Sequence, residues 1–138
     1  MKYQVLDLFF YKQKLSTRFA SLEVDKNFYI TDTSEQVKRF AYCPQDAIPG
    51  KDVRLAFPEF VGLEDLLLSI LEGHEKLFIL EEIHRFSEQK AEIYIDIYIF
   101  RKSRKKENKI YLTILIEDIT QRMLLKRKRL QQANEANL

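Results

Sequence analysis

The chain of 138 residues has a single cysteine, Cys43, two histidines, no tryptophan, and only three glycines and three prolines. One cysteine excludes an internal disulfide framework. So little Gly and Pro excludes a loop-rich or disordered scaffold. No apolar run approaches the roughly 18–20 residues that a membrane-crossing helix requires. The opening MKYQVLDLFFYKQK is too short and too charged for a signal peptide, and Asp7 interrupts its apolar part. A cytoplasmic location with no membrane insertion is therefore expected. What the chain has instead is 46% hydrophobic and 32% charged residues, enough for one compact domain with a real core.

Motifs for chemistry are also missing. There is no G-x-x-x-x-G-K-[ST], no G-x-S-x-G, no H-E-x-x-H and no pair of cysteines for a metal. The acidic pairs Glu64-Asp65 and Glu81-Glu82 are adjacent residues, whose side chains diverge on a helix or a strand. They are expected to be solvated surface. No catalytic residue and no metal ligand is expected in this segment.

The net charge of +2 hides an asymmetry. Arg101–Lys109 carries six basic residues against Glu107, and Gln121–Leu138 carries five against Glu135. The rest of the chain is net negative. Such basic runs suit phosphate contacts, but they lack interleaved aromatics for base stacking. A charged hairpin tip and a solvated helix face explain them better, so no nucleic-acid partner is expected.

Residues 3–18 place Val5, Leu8, Phe9 and Leu15 on one face at helical spacing, which predicts a short amphipathic helix. Phe19–Asp25 alternates as a strand, and Asp25-Lys26-Asn27 turns it into a second, Phe28–Asp32. Thr33-Ser34-Glu35-Gln36 fits a capping box before a helix carrying Val37, Phe40 and Ala41. Pro44, Pro49-Gly50 and Pro58 then divide the chain into short helical pieces through Phe60. Leu63–Leu71 is the best helix, with Gly73 as its C′ residue. Three strands follow: Leu77–Phe86, a turn at 87–90, Glu92–Phe100, the charged loop 101–108, and Lys109–Asp118.

The middle strand is apolar on both faces. Ile93, Ile95, Ile97 and Ile99 share one, while Tyr94, Asp96, Tyr98 and Phe100 share the other. One face must meet the domain's own helices, and the other needs a cover. The N-terminal helix or a partner subunit would supply it. At the end of the third strand Thr120 is placed to cap an exit helix by accepting from the Met123 N–H, with Asp118 near the positive helix terminus. Taking Met123 as position a puts Lys126 at d, Leu130 at a, Ala133 at d and Asn137 at a, a marginal coiled-coil seam. The pattern has no stop signal before Leu138, so a longer protein is expected.

The element order resembles a PAS domain, and residues support the likeness at three points. Phe28–Asp32 followed by Thr33–Tyr42 looks like the family's second strand and first helix. Tyr42–Val53 (YCPQDAIPGKDV) resembles its turn-helix-turn, and Glu117-Asp118-Ile119-Thr120 before Gln121-Arg122 resembles the Asp-Ile-Thr signature ahead of the signalling helix. Ala41 stands where the family often has Gly, and the Asn common after the second strand is replaced around Asp32-Thr33.

The resemblance implies an α+β fold: a five-stranded antiparallel sheet with short helices on one face, an N-terminal cap over 1–18, a core domain over 19–120 and a signalling helix over 121–138. It implies a sensory or dimerisation module relaying ligand or partner state to a downstream histidine kinase, nucleotide cyclase or diguanylate cyclase. The alternative is a purely structural dimerisation module without ligand or, behind it, a nucleic-acid-binding domain using the basic hairpin and helix. Pocket walls would be Phe40, Val53, Leu55, Phe57, Phe60, Leu67, Ile70, Leu71, Ile95 and Ile97, with Arg54 as the polar contact for a carboxylate. Equally, those side chains fill the core completely, and Arg54 pairs with Glu59 or Glu64. Haem is disfavoured because His74 and His84 sit at surface positions, and flavin photochemistry because Cys43 lies between Tyr42 and Pro44. The signal relay falls on Asp118 and Thr120, and a homodimer interface on Leu8, Phe9, Tyr94, Tyr98, Met123 and Leu130.

Overall fold

The computed structural model describes residues 18–86 and 89–136. Residues 3–17 of the helix expected over 3–18, with Leu8 and Phe9, lie outside the described residues. Among the described residues five strands form one antiparallel sheet: β1 (Phe19–Val24), β2 (Ile30–Thr33), β3 (Leu77–Phe86), β4 (Glu92–Arg104) and β5 (Lys109–Asp118). Their order across the sheet is β2-β1-β5-β4-β3. The α+β expectation is met, since the short helices pack on one face of this sheet.

The core forms because alternate strand positions point the same way. Ala20, Leu22 and Val24 of β1, Ile93, Ile95, Ile97 and Ile99 of β4, and Leu112, Ile114 and Ile116 of β5 all join one buried cluster. Against them pack three short helices: α1 (Val37–Phe40), α2 (Val53–Ala56) and α3 (Glu64–Leu71). Single 3-10 turns begin at Pro44 and Pro58, where proline supplies a preset φ and needs no donor. Gly73, at φ +85, ends α3 with its N–H on the Ile70 carbonyl, while His74 N–H reaches Ser69. That is the Schellman pattern expected of a C′ glycine.

Several local expectations are corrected. β2 begins at Ile30, because Phe28 takes a left-handed turn conformation (φ +69) that buries its ring under the Arg54 guanidinium. Asp25 Oδ1 accepts the Asn27 and Tyr29 N–H groups and fixes that turn. The capping box is replaced as well. Asp32 accepts the Thr33 N–H, and Ser34 is tied to β1 through both its N–H and its hydroxyl, so α1 starts after Gln36. β4 runs to Arg104 rather than Phe100, since Lys102 and Arg104 reach Glu23 on β1 and so extend the hairpin. Only Lys105–Asn108 remains as a loop, closed by Asn108 at φ +51.

β3 carries a bulge. Leu80 pairs with Ile97 and Ile83 with Ile95, so Glu81 and Glu82 together oppose Asp96. Glu82 sits at φ +56, a conformation that non-glycine residues rarely adopt. After β5 comes α4 (Thr120–Ala136), which has no buried residue along its length. No helix among the described residues is long and apolar enough to cross a membrane.

Candidate signal-relay site

The junction between β5 and α4 is stitched into β4 from both sides. Ile119 N–H donates to the Tyr94 carbonyl at 2.8 Å, and Tyr94 N–H donates to Thr120 Oγ1 at 3.0 Å. Thr120 thus continues the β4–β5 ladder with its side chain after its backbone has turned into a helix. Asp118 Oδ1 accepts both the N–H and the hydroxyl of Thr120. Its other oxygen pairs with Arg39 of α1 at 2.7 Å. The expected cap is therefore corrected: Met123 N–H goes to the Ile119 carbonyl, and Asp118 rather than Thr120 satisfies a helix-start donor.

Further along, α4 lies against the outer face of the sheet through charge. Arg122 donates to Asp96 Oδ2 at 2.7 Å, and the Asp96 side chain is only 5% exposed. Lys126 pairs with Glu82 at 3.0 Å, and Arg127 reaches Glu92 while its guanidinium lies over the Tyr94 ring and donates to the Tyr94 hydroxyl. Three of the five basic residues of this helix are thus neutralised by the domain itself. Tyr98 donates to Glu117 Oε1 at 3.1 Å; burial and the neighbouring carboxylate push its phenol up to about 12.

These contacts revise the expected interface. Tyr94 is buried beneath Arg127 and beside His84, so it is not a free dimer contact. Tyr98 is half-buried. Lys126 faces its own sheet, so the expected seam is occupied at its start, and the exposed Leu130 is where its apolar positions become free. Leu124 and Leu125, absent from that seam, are also exposed.

The residues expected to wall a pocket pack against one another. Phe40, Val53, Phe57, Phe60, Leu67, Ile70, Ile95 and Ile97 are fully buried in one contiguous cluster, with Leu71 at its margin. Leu55 is a correction: α2 is a single turn that buries Val53 and Ala56 and leaves Leu55 52% exposed. Arg54 is held by Asp52, through contacts of 2.7 and 3.0 Å, and by Glu64 at 3.1 Å. The guanidinium holds Asp52 below the usual carboxylate range. Glu59 instead pairs with the buried Arg85, which also donates to the Phe40 carbonyl.

A cleft of about 890 Å³ lies elsewhere, at the open end of the sheet between the β1–β2 turn, the β4–β5 hairpin and the end of α3. Leu71 is the one expected pocket residue that borders it, together with Leu68, Ile110, Tyr111 and Lys26. His74 lies beyond α3 beside Glu72, and His84 lies beside Glu92, so neither points into the helix–sheet interior. No cluster of three or more metal-ligating side chains occurs among the described residues.

Asp118 and Thr120, the residues expected for a relay, meet at this junction, whereas Arg39, Glu82, Asp96 and Arg122 join it only through contacts that the sequence did not announce. One signal was available for the bulge. The inward positions of β3 are Phe78 and Leu80, then Ile83 and Arg85, a change of parity that requires one extra residue.

No protein-family model matches the chain, and no curated protein sequence matches it. Solved structures do. The PAS domain of the histidine kinase ThkA is 19% identical with a TM-score of 0.51, over 72% of this chain and 98% of that one. The PAS domain of a protein from Colwellia psychrerythraea is 15% identical with a TM-score of 0.55, over 85% and 98%. The PAS domain of BvgS from Bordetella pertussis is 16% identical with a TM-score of 0.54, over 94% and 98%. The five-stranded antiparallel sheet with its short helices agrees with that likeness: the chain has the fold of a PAS domain.

Proposed function

We propose that the chain is a sensory PAS module that passes the state of its sheet through α4 to an output domain, of which a histidine kinase, a nucleotide cyclase or a diguanylate cyclase is the expected class. The observation that carries this is the junction itself. Thr120 Oγ1 accepts a β4 backbone donor, so α4 begins inside the sheet's hydrogen-bond ladder and not after a slack linker. A shift of β4 then moves the base of the helix directly. Arg39 on Asp118 adds the helical layer to the same junction, so rearrangement on either side of the sheet reaches α4.

The segment itself is proposed to be non-catalytic and to act as a homodimer, with Leu124, Leu125 and Leu130 as apolar surface left free on α4. A second reading is a structural module with no small ligand, and the packing of the expected pocket walls against one another in a single buried cluster favours it. Mass spectrometry of the denatured protein with an absorbance scan of the native sample separates a bound small molecule from none.

Fusing the chain through α4 to the catalytic core of a histidine kinase, with helical phase kept, tests the relay. Autophosphorylation should change when Thr120→Ala or Asp118→Ala is introduced while the domain remains folded. Activity indifferent to both substitutions would sink the relay.

A further inference from the structure

We propose that Asp96 is a positioning residue that makes the docking of α4 conditional on the bulge in edge strand β3. Its carboxylate is divided. Oδ1 accepts the backbone N–H of Glu82 at 2.8 Å, and Oδ2 accepts Arg122 of α4 at 2.7 Å. The bulge brings that N–H to Asp96 because Glu82 is held in a left-handed conformation, with two residues of β3 opposite one of β4. The Glu82 side chain then takes Lys126 of the same helix, one turn beyond Arg122. One irregularity in an edge strand therefore orients two anchors for one helix.

No side chain of α4 is fully buried, and Met123 is its one partly buried apolar residue, so these anchors carry much of its docking. The Lys126–Glu82 and Arg127–Glu92 pairs are exposed on both partners, and such pairs contribute little. Asp96–Arg122 differs because its carboxylate is buried and fully engaged on both oxygens. Straightening the bulge withdraws the Glu82 N–H and the Glu82 carboxylate together, and leaves Asp96 free to turn from Arg122. Among the described residues β3 stands at the edge of the sheet, with β4 as its only strand neighbour. Its outer edge is thus a place where an added strand of a partner can act on the bulge.

This deepens the relay proposed above, but the joint is measurable without any output domain. Amide hydrogen exchange of the 138-residue chain, followed by NMR, reports Glu82 and α4 separately. Asp96→Asn keeps an acceptor for the Glu82 N–H and removes the charge that holds Arg122. It should leave the Glu82 amide protected and speed exchange in the Arg122–Lys128 segment by about tenfold or more, the scale of a lost charge-assisted hydrogen bond. Asp96→Ala should speed both. Lys126→Gln should leave both within about twofold, as for an exposed pair.

Deleting Glu81 removes the bulge and should release α4 as Asp96→Asn does. Wild-type exchange in α4 for Asp96→Asn, or an unchanged Glu82 amide in Asp96→Ala, would overturn the proposal. So would a deletion variant that folds and keeps α4 protected. A chimera that does not signal while these exchange results hold would remove the relay and leave the joint standing.

Discussion

Thr120 and Tyr94 are joined across 26 residues of sequence by one hydrogen bond, from the Tyr94 backbone N–H to Thr120 Oγ1 at 3.0 Å. Tyr94 is buried, so its N–H has no water to turn to if the hydroxyl is removed. Thr120→Ala should cost about 1–3 kcal/mol, the penalty for a buried donor left unpaired. Thr120→Ser should recover most of it. Urea denaturation at neutral pH measures both; equal stability of the Ala variant would show that the contact contributes nothing.

Leu67 and Leu55 separate core from surface within the expected pocket wall. Leu67 is fully buried between α3 and the sheet, whereas Leu55 faces solvent. Leu67→Ala should destabilise by about 2–5 kcal/mol through lost transfer energy and the cavity left behind. Leu55→Ala should stay within about 0.5 kcal/mol. If Leu67→Ala is as mild as Leu55→Ala, the interior has more free volume than its packing implies.

Arg54 links α2 to the start of α3 through Asp52 and Glu64. Hydrogen bonding to Arg54 lowers the Asp52 pKa, so the folded state binds that proton less readily than the unfolded chain. The contribution is therefore complete above the unfolded value of about 3.9 and is lost as pH falls through the lower folded value. Arg54→Met should lose stability at pH 7 and show a shallower decline below pH 4 than the wild type. Thermal midpoints at both pH values read this directly. A parallel decline in the two proteins would dissociate Asp52 from Arg54.

Tyr98 works in the opposite sense. Burial and then Glu117 raise its pKa to about 12, so the fold favours the neutral phenol. The stabilisation is intact below the ordinary phenol value of about 10 and declines as pH rises from there to 12. Ultraviolet titration near 295 nm should show a late tyrosine component that Tyr98→Phe abolishes. Loss of no late component in that variant would place the high-pKa phenol elsewhere.

Much of this architecture is local in origin, and so was legible in the chain. The two-residue alternation in EIYIDIYIF, the prolines at 44 and 58, Gly73 after LEDLLLSIL, and the Asp-Ile-Thr step into a basic helix each state their own conformation. These fixed the strand and helix types, the double-sided apolar character of β4 and the position of the exit helix. The helical spacing of Met123 and Leu130, by contrast, did not say which side of α4 meets its own sheet. That depended on Glu82 and Asp96, more than 25 residues away from their partners.

Tertiary structure decided how charges far apart in the chain were matched. Arg39 with Asp118, Arg104 with Glu23, Arg85 with Glu59 and Arg122 with Asp96 come from distant segments that only sheet order and register bring together. Hydrophobic burial is non-directional and follows local periodicity, so a sequence displays it openly. An ion pair needs two particular groups within about 4 Å, and that proximity exists only after the chain has folded.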